Sequence, residues 1–408
     1  MIEDVLIVGA GLAGLACALR LKERGIRAKL IEASDRVGGR VATDTHQGFL
    51  LDRGFQVLLT AYPEASRLLN YEALSLARFH SGAKVFVGGK LHTLGDPTRH
   101  PADALPTLLA PVGTFVDKAR ILSLRARVTL PSLNEVLARP ESTTIDYLLR
   151  HGFSAGIINQ FFRPFLGGIF LEKDLLTSSR KFEFVFRMFS HGSAALPRQG
   201  MSAIPLQLAE RLAGQIELGK EVVEFDNGAV RLASGERLEA KTIVLASDPW
   251  RAQQLLGDSE KEANTIACVY FAAPDSPLKE PWLVLNGDGS GPVNNFCVPS
   301  DVQPTYAPAG QSLVSATVID PQAAKSDTLE EKVLEQLSRW FGQQVTSWRH
   351  LRTYRIAKPI PLQFPPALEN LERPTKLRDG LYRCGDANWI ASIEGALRSG
   401  IRAGQEIQ

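Results

Sequence analysis

A glycine-rich turn near the start of the chain has the spacing needed to hold a pyrophosphate. Gly9, Gly11 and Gly14 follow the apolar, β-branched run 5–8, which is typical of a strand buried on both faces of a parallel sheet. The first glycine permits a tight turn, the second lets the backbone approach phosphate, and the third lets a helix pack closely on the strand. Glu32 ends the next strand-like run, where a carboxylate can accept both hydroxyls of an adenosine ribose. These residues predict a dinucleotide-binding turn between a strand and a helix.

The loop after this strand-like run distinguishes between the dinucleotides that share the fingerprint. It carries Arg36, Gly38, Gly39 and Arg40 in the pattern E-x-x-x-R-x-G-G-R. In this pattern the chain resembles the flavin-containing amine oxidase superfamily, which includes monoamine and polyamine oxidases, protoporphyrinogen oxidase and the phytoene desaturases. The resemblance implies FAD as the cofactor. The glycines would let the loop pass beneath the pyrophosphate, and the arginines would supply fixed positive charge to its oxygens.

Two interior segments also resemble this family. Gly54, Phe55 and Gln56 belong to a D-x-G segment that, by the resemblance, passes near the isoalloxazine ring. Further along, the resemblance predicts a strand pair over 216–224, in which the backbone of Val222 meets the adenine.

The C-terminal region carries a second signature of the same family. Gly385 and Asp386 end a short strand, and Ser392 and Ile393 begin the closing helix, with the serine as a candidate cap. The resemblance places the aspartate by the ribitol and the pyrophosphate, and it points the helix N-terminus at the pyrimidine edge of the flavin. That helix end carries about half a positive charge, which would favour an anionic reduced flavin. No Cys or His matches a covalent attachment position, so we expect FAD to be bound non-covalently.

The expected fold class is α/β, with a Rossmann-type FAD-binding domain assembled from discontinuous segments and an α+β substrate domain. The FAD-binding domain is expected to combine 1–60, 197–255 and 350–408. The substrate domain is expected to combine 61–196, which is mostly helical by pattern, with the strand-like runs of 256–349.

Four side chains are candidates for contact with the substrate. Phe162 and Phe165 lie in an aromatic segment that could line a pocket for a long apolar molecule, although core packing explains the same pattern. Lys358 lies in a segment that resembles the one over the flavin face, although a surface lysine is an equally good interpretation. Trp389 could form an aromatic wall or could simply be packed. No side chain is assigned a catalytic role, because a flavin carries out the hard chemical step.

The reaction expected of this site is hydride transfer from an apolar organic substrate, isoprenoid or tetrapyrrole, to FAD. Gly385 and Asp386 replace the Gly-Thr/Ser-Glu of amine oxidases, which favours the carotenoid-desaturase side of the superfamily. The alternatives are an amine oxidase that produces an imine and hydrogen peroxide, and an isomerase that uses reduced FAD. Only one dinucleotide fingerprint occurs, so we expect an organic electron donor and an external acceptor, dioxygen or a quinone.

Composition argues against several other classes. The 408 residues carry 46 basic and 44 acidic side chains, a net charge of +2, which gives no global field that would attract nucleic acid. The four cysteines are far apart, so the sequence predicts neither a zinc site nor a disulfide framework. We therefore expect a reducing, cytoplasmic location. No stretch of sequence approaches the apolar length of a membrane span.

One helical stripe suggests a peripheral membrane contact. Within 114–128, Phe115, Ala119, Leu122 and Ala126 recur at helical spacing among basic side chains. Such a helix could lie in a membrane interface and admit a lipid-soluble substrate, or it could be a solvated surface helix.

Overall fold

The computed structural model describes residues 3–226, 228–257, 263–371 and 373–408 of the 408-residue chain. Its strands are β1 (Glu3–Val8), β2 (Ala28–Ile31), β3 (Thr43–His46), β4 (Phe49–Asp52), β5 (Leu58–Leu59), β6 (Ala77–Arg78), β7 (Gly82–Val87), β8 (Lys90–Gly95), β9 (Ala194–Leu196), β10 (Ile216–Glu217), β11 (Val222–Asp226), β12 (Ala229–Leu232), β13 (Arg237–Leu245), β14 (Thr265–Ala273), β15 (Leu283–Asn286), β16 (Asn295–Cys297), β17 (Ser312–Val318), β18 (Arg349–Ala357), β19 (Lys376–Arg378) and β20 (Leu381–Arg383). Its helices are α1 (Leu12–Glu23), α2 (Pro63–Leu68), α3 (Ala104–Leu109), α4 (Phe115–Thr129), α5 (Leu133–Leu137), α6 (Thr144–Arg150), α7 (Ala155–Ile157), α8 (Arg163–Phe170), α9 (Ser179–His191), α10 (Ala203–Glu210), α11 (Pro249–Leu256), α12 (Pro299–Val302), α13 (Pro321–Ala324), α14 (Leu329–Phe341) and α15 (Ile393–Glu406).

The glycine-rich turn lies at one end of an eight-stranded sheet. Five of its strands run parallel in the order β10, β2, β1, β13 and β20, and β19 pairs antiparallel with β20. The start of β13 also pairs with β12, which pairs with β11. The apolar run of β1 is buried, as expected of a central strand. This architecture confirms the predicted α/β class, and the turn lies at the edge where open α/β sheets bind their ligands.

The segment 216–224 does not form the expected strand pair. β10 pairs in parallel with β2 at one edge of the sheet, whereas β11 pairs antiparallel with β12 at the other. The turn between them passes the carboxyl end of β2, because the amide of Lys220 donates to the carbonyl of Glu32 at 2.8 Å. The chain therefore crosses the ligand-binding edge of the sheet here instead of folding back as a hairpin.

A second sheet of seven strands has the order β18, β14, β17, β16, β15, β7 and β8. Four of these strands come from 256–349, as expected, and the β7–β8 hairpin comes from 61–196. The expected boundary at residue 350 differs from the structure, because β18 pairs with β14 from Thr265 to Ala272. Residues 350–357 were expected in the FAD-binding domain, but their backbone hydrogen bonds belong to the second sheet.

Helices fill most of 61–196, as predicted, and α9 packs against α4, α5 and α6. Within this helical region, a π-turn over Ile158–Phe162 lies between α7 and α8. Pro164 has no N–H to donate in the α-helical register, and this favours the local widening.

The buried carboxylate of Asp52 connects three distant segments of the chain. It accepts hydrogen bonds from the hydroxyl of Thr43, from the amide of Met201 at 3.0 Å and from the hydroxyl of Tyr306 at 2.9 Å. Burial raises the pKa of Asp52 to about 6, although these hydrogen bonds oppose the shift. These hydrogen bonds connect the end of β4 to the segment before α10, through Met201, and to the loop between β16 and β17, through Tyr306.

The closing helix α15 packs directly against α1 because glycines line the contact. A Cβ on Gly400 would lie 2.1 Å from the carbonyl oxygen of Ala13, and one on Gly404 would lie 2.9 Å from that of Cys17. The helix backbones therefore approach closely. This contact joins the first and last segments of the chain and determines where the N-terminus of α1 lies.

Replacing Gly400 with alanine should destabilise the protein, because the new methyl group has no space against Ala13. We expect the free energy of unfolding to fall by roughly 3 kcal/mol, in the upper part of the range for overpacked cores, as measured by urea denaturation. Gly156→Ala is the matched control, since a Cβ there meets its nearest neighbour at 3.5 Å. Equal stability of Gly400→Ala and the wild type would contradict the close contact between the helices.

Candidate active site

The turn between β1 and α1 has a backbone conformation that needs glycine. Gly9 has a φ of +109°, and its amide donates to the carbonyl of Ile31 at 2.8 Å. A Cβ on Gly14 would lie 2.0 Å from the carbonyl oxygen of Gly9, so close packing requires the third glycine. A Cβ on Gly11 would meet nothing within 4 Å. The turn is therefore packed on one side and open at Gly11, where a ligand can approach.

Helix α1 begins at this open side. Its N-cap, Gly11, offers no side-chain hydrogen bond, and its first turn carries no acidic residue. The first amides of the helix are therefore available to an anion, which the helix dipole also favours. The loop that follows β2 passes over the same position, because Gly38 forms a parallel bridge with Gly11 and donates to the carbonyl of Ala10 at 2.8 Å. A Cβ on Gly39 would lie only 3.5 Å from Cα of Gly11.

The two arginines of this loop have different surroundings. Nη2 of Arg36 donates to the carbonyl of Gly39 at 3.0 Å, so this side chain lies along its own loop. Arg40 reaches the other end of the chain, where its Nη2 donates to Oδ1 of Asp386 at 2.6 Å and its Nη1 donates to the carbonyl of Pro359 at 3.0 Å. The salt bridge between Arg40 and Asp386 brings the two predicted signatures into one site.

Glu32 lies at the end of β2, directly beside the glycine turn. Its Oε2 accepts from the amide of Ala10 at 2.8 Å, and its Oε1 accepts from the amide and hydroxyl of Ser34 at 3.0 and 2.9 Å. A carboxylate offers about four acceptor positions, so three are already used by the protein. The carboxylate of Glu32 can therefore accept one further hydrogen bond without displacing a protein donor. The sequence suggested that it would accept two, from both ribose hydroxyls.

The D-x-G segment passes beside Arg40. Gly54 has a φ of +96°, which favours glycine, and Phe55 packs edge-on against Phe79 with ring centroids 6.0 Å apart. Gln56 donates through Nε2 to the carbonyl of Arg40 at 2.9 Å. Its buried Oε1 has no hydrogen-bond partner within the described parts of the chain.

The C-terminal signature is built around the start of α15. The amide of Gly385 donates to the hydroxyl of Ser399 at 3.0 Å, which anchors the turn before the helix. Ser392 is the N-cap, as predicted, because its Oγ accepts from the amide of Gly395 at 3.0 Å. Ile393 is the first helical residue, and the helix N-terminus therefore lies beside the same turn.

Glu394 adds a negative group to the first turn of α15 that the sequence interpretation did not consider. Its carboxylate accepts from the amides of Glu64 at 2.9 Å and Ala65 at 3.2 Å, at the start of α2. Burial raises the pKa of Glu394 to about 7. At neutral pH the partly ionised carboxylate offsets the positive end of the helix, so this helix end favours an anionic flavin less than the sequence alone indicated.

Two further positions, one of them the predicted adenine contact, lie at the ends of other strands. Val222 is buried at the start of β11, and its carbonyl accepts from Nη2 of Arg251 at 2.8 Å. Ser247 follows β13, and its buried Oγ has no partner among the described residues. Ser247 and Gly385 line the same cavity, of about 110 Å³.

Two of the four substrate candidates are core residues. Phe162 has no exposed surface and packs edge-on against Phe153, with ring centroids 5.0 Å apart. Trp389 is also buried, between the ring of Phe184 at 5.1 Å and the guanidinium of Arg398 at 5.0 Å. Of the two interpretations that the sequence left open for each side chain, burial favours core packing for both.

The other two candidates lie apart from each other. Phe165 is half-buried, with its ring centroid 5.4 Å from that of Phe161 and 5.3 Å from that of Phe189. These three rings form a partly exposed aromatic row on α8, α9 and the π-turn. Lys358 lies near α11, with its Nζ 6.0 Å from the ring centroid of Trp250. The aromatic row therefore contains one predicted substrate residue, and Lys358 is not part of it.

Besides Glu394, the sequence interpretation missed a buried lysine beside the site. Lys181 lies on α9 with 2% of its surface exposed, and it interacts electrostatically with Asp386. A signal was present in the sequence, because Lys181, Phe184 and Met188 share one face of a helix. A lysine within a buried apolar stripe is unusual and indicates a specific role.

These features fit FAD. The open amides of α1 and the guanidinium of Arg40 suit a diphosphate, and Glu32 has acceptor capacity left for the ribose. The side-chain oxygens of Gln56 and Ser247 are buried but unpaired in the described structure, and a bound ligand can complete their hydrogen bonds.

Comparison with known proteins agrees with this geometry. The family model described as flavin-containing amine oxidoreductase matches residues 12–408. A coproporphyrinogen III oxidase from Propionibacterium freudenreichii subsp. freudenreichii is 30% identical over 173 residues, which cover 41% of this chain and 31% of that protein. A 15-cis-phytoene desaturase from an Oncidium hybrid cultivar is 23% identical over 462 residues, which cover 99% of this chain and 77% of the relative.

The fold also matches solved structures along its whole length. An oxidoreductase from Methanosarcina mazei superposes with a TM-score of 0.76 at 17% identity, covering 99% of this chain and 100% of that one. At that identity the likeness establishes the fold only. The chain spans about a third of the length of the coproporphyrinogen III oxidase that it matches.

Replacing Glu32 with alanine should weaken FAD binding and leave the binding of FMN unchanged, because FMN lacks the adenosine. A charge-assisted hydrogen bond to the ribose contributes on the order of 1.5 to 3 kcal/mol, so we expect up to roughly a hundredfold loss of FAD affinity in a flavin-fluorescence titration. Ser34→Ala is the matched control, since it removes a hydroxyl bound to the same carboxylate. Equal losses of FAD and FMN would indicate misfolding and would remove the support for the ribose assignment.

Replacing Asp386 with alanine should weaken the binding of both flavins, because both carry the ribityl phosphate and because Arg40 loses its partner. Asp386→Asn, which can still accept from Arg40, should weaken both flavins less. Loss of FAD alone, measured in the same titration, would place Asp386 at the adenosine end and contradict this assignment.

Proposed function

The chain belongs to the flavin-containing amine oxidoreductase family. We propose that it is an FAD-dependent oxidoreductase that takes a hydride from an apolar organic substrate. The observation that carries the proposal is the convergence of both flavin signatures at the Arg40–Asp386 salt bridge. The reaction would be desaturase-like, on an isoprenoid or a tetrapyrrole. Two of the relatives are named for a porphyrinogen and for phytoene, which supports this class of substrate.

Each part of the site has a distinct role in this proposal. When bound, FAD supplies the two-electron acceptor. The amides of α1 and the guanidinium of Arg40 hold the diphosphate, Glu32 orients the ribose, and Asp386 orients both Arg40 and the ribityl chain. The buried packing of α9 against the C-terminal signature keeps water from the reacting atoms.

The partly exposed aromatic row supports an apolar substrate. Phe161, Phe165 and Phe189 lie in the helical part of the chain that contacts the C-terminal signature through α9, and their rings are not fully used by the core. Such rings can pack against a conjugated or hydrocarbon chain. Electrons would leave the site to an external acceptor, dioxygen or a quinone.

Amine oxidation is the second candidate, because the family name includes it. In amine oxidases an aromatic pair stands beside the flavin, and the aromatic residue of the C-terminal signature is one member. Here that residue is Trp389, which is buried between Phe184 and Arg398. This placement favours the desaturase-like reaction over an amine cage. An isomerase that uses reduced FAD would need no net electron transfer and is separated from both by the test below.

We also propose a peripheral contact with a lipid surface. Seven large apolar side chains of α3, of α4 and of the residue after α4 are exposed to solvent. We call them the α3–α4 apolar surface: Leu105, Leu108, Leu109, Phe115, Val116, Leu122 and Leu130. Leu109 is 66% exposed and Phe115 is 65% exposed. The stripe predicted on 114–128 therefore faces outward, and α3 extends it.

Charge near this surface is compatible with anionic lipid. Arg127 is exposed, and the side chain of Arg120 is 40% exposed with Asp117 no closer than 3.9 Å. The other two cations of α4 are engaged, since Arg125 pairs with Asp96 and Lys118 donates to carbonyls at the end of α3. Among the described residues, no helix is long and apolar enough to cross a membrane.

Purified protein should be yellow, and heat or acid should release intact FAD into the supernatant. Under anaerobic conditions, the flavin absorbance should be bleached by a member of a panel of carotenoids, porphyrinogens and amines. Bleaching by a carotenoid or a porphyrinogen would support the proposal. Bleaching by amines alone would favour the amine oxidase, and turnover without bleaching would favour the isomerase. Colour that stays with the precipitated chain would contradict non-covalent binding.

The protein should float with vesicles that contain phosphatidylserine at low salt, and less with phosphatidylcholine alone. A variant with Leu105, Leu109 and Phe115 changed to serine should lose most of the flotation, because it removes about half of the apolar surface. Leu206→Ser combined with Leu218→Ser is the control, since both side chains are exposed elsewhere. Absence of wild-type flotation, or equal loss in the control, would exclude the lipid contact.

A further inference from the structure

Lys181 is the buried charged group of the site that the assignments above leave without a function. We propose that Lys181 is an anion-binding residue, whose ammonium binds an anionic oxygen of the ligand held between α9 and the C-terminal signature. The inference rests on the proposed function, since it requires that a flavin and its substrate occupy this site.

The ammonium of Lys181 has no hydrogen-bond acceptor in the structure over 3–226, 228–257, 263–371 and 373–408, and no carboxylate lies within salt-bridge distance of it there. Its nearest specific contact is the ring of Phe170, 5.5 Å from Nζ to the centroid. A buried ammonium carries three donors, and leaving them unpaired is costly. A ligand that binds beside α9 can supply the acceptor that the described protein does not.

The charged neighbours of Lys181 are already committed to other partners. Asp386 binds Arg40, and the two carboxylate oxygens of Glu172 accept from the amides of Asp174 at 2.8 Å and Thr177 at 3.0 Å. These groups influence the ammonium at longer range, with the carboxylates favouring its charge and Arg40 opposing it. None of them is arranged as its direct partner.

Lys181 lies on the face of α9 that packs against the C-terminal signature. Phe184, one turn further on the same face, packs against Trp389, and the carbonyl of Trp389 is held by Nε2 of Gln363 at 2.6 Å. The amide of Ser178, just before α9, donates to the carbonyl of Gln363 at 2.9 Å. This face of α9 is therefore fastened to the segment that carries the second flavin signature.

Binding through this ammonium should depend on pH in a defined direction. Burial lowers the pKa of Lys181 to about 8, while Asp386 and Glu172 raise it and Arg40 lowers it further. The side chain is therefore charged at neutral pH and neutral well above pH 8. Affinity for an anion should be high below this pKa and should fall as the pH rises through it.

Two sources can supply the anionic oxygen, namely a carboxylate of the substrate or the bound cofactor. Benzoate serves as the substrate-side probe, because it combines an aromatic ring with a carboxylate, and benzamide is its uncharged counterpart. Each is titrated into the holoenzyme at pH 6.5 and 9.5, with the flavin absorbance as the readout. The affinity for FAD is measured in parallel.

The variants are Lys181→Met, which keeps the length without the charge, and Lys181→Arg, which keeps the charge. Lys173→Met is the matched control, because Lys173 is an exposed lysine paired with Asp320 at 3.2 Å. Thermal denaturation establishes that each variant is folded. We expect Lys181→Met to weaken the binding of benzoate or of FAD by between about tenfold and a hundredfold, with partial recovery in Lys181→Arg and no change in Lys173→Met.

The outcomes separate the two sources and the two hypotheses. Loss of benzoate binding with FAD affinity retained identifies the substrate as the source, and loss of FAD affinity identifies the cofactor. If Lys181→Met fails to fold, the wild-type protein decides the question. A tenfold or greater fall between pH 6.5 and 9.5 in the affinity for benzoate, with benzamide unaffected, or in the affinity for FAD supports the proposal. Affinities for benzoate and for FAD that are both independent of pH overturn it. A folded Lys181→Met that matches the wild type in both measurements, or that loses benzoate and benzamide equally, also overturns it. Wild-type protein that binds no FAD would contradict the proposed function and this inference with it.

Discussion

Close contacts between backbones, with no side chain between them, hold α1 in place. A Cβ on Gly9 would lie 2.8 Å from the carbonyl oxygen of Ala246, which follows β13. A Cβ on Gly14 would collide with the carbonyl of Gly9, and a Cβ on Gly400 of α15 would collide with the carbonyl of Ala13 on α1. The N-terminus of α1 is therefore positioned by β1, β13 and α15 together. Since the first amides of this helix form the open side of the glycine turn, the anion-binding position depends on these contacts. The remaining groups of the site are arranged around that point.

Charge placement follows from this arrangement. Arg40 and Asp386 are far apart in the sequence, yet they form a salt bridge. The loop that carries Arg40 lies over the start of α1, and the segment that carries Asp386 leads into α15, which packs on α1. Their salt bridge places a guanidinium and a carboxylate on the same ligand-binding edge of the sheet. The guanidinium can bind a diphosphate, and the carboxylate can accept from hydroxyl groups, so one site can hold both. Glu32 is different, because the protein itself already uses most of its acceptor positions. Its carboxylate thus shapes the glycine turn in addition to any contact with a ribose.

The helical part of the chain supplies the other side of the site. α9 is fastened to the C-terminal signature through Phe184 and the segment around Gln363, and it carries Lys181 toward the same place. Asp52 makes a further connection between the sheet regions, through Met201 and Tyr306. Because these contacts are buried and specific, the cofactor-binding edge and the aromatic row keep a defined relation to each other. A hydride donor and its acceptor need such a relation, since the reaction requires close approach and exclusion of water.

The sequence by itself determined the features that depend on neighbouring residues. The glycine turn, the cap at Ser392 and the run that became β1 follow from local backbone chemistry. The E-x-x-x-R-x-G-G-R pattern was sufficient to indicate FAD. For the stripe on α4, the sequence left open whether lipid or water covers it. Local periodicity describes which residues share a face, but it does not say what covers that face.

Only the tertiary structure decided the features that depend on distant segments. It placed Phe162 and Trp389 in the core, moved the strand at 350–357 into the second sheet, and brought Lys181 near Asp386. Burial and pairing of this kind arise when segments far apart in the chain compete for the same space and the same hydrogen bonds. The spacing of residues along a strand or a helix does not contain that information, because it is set by the packing of the whole chain.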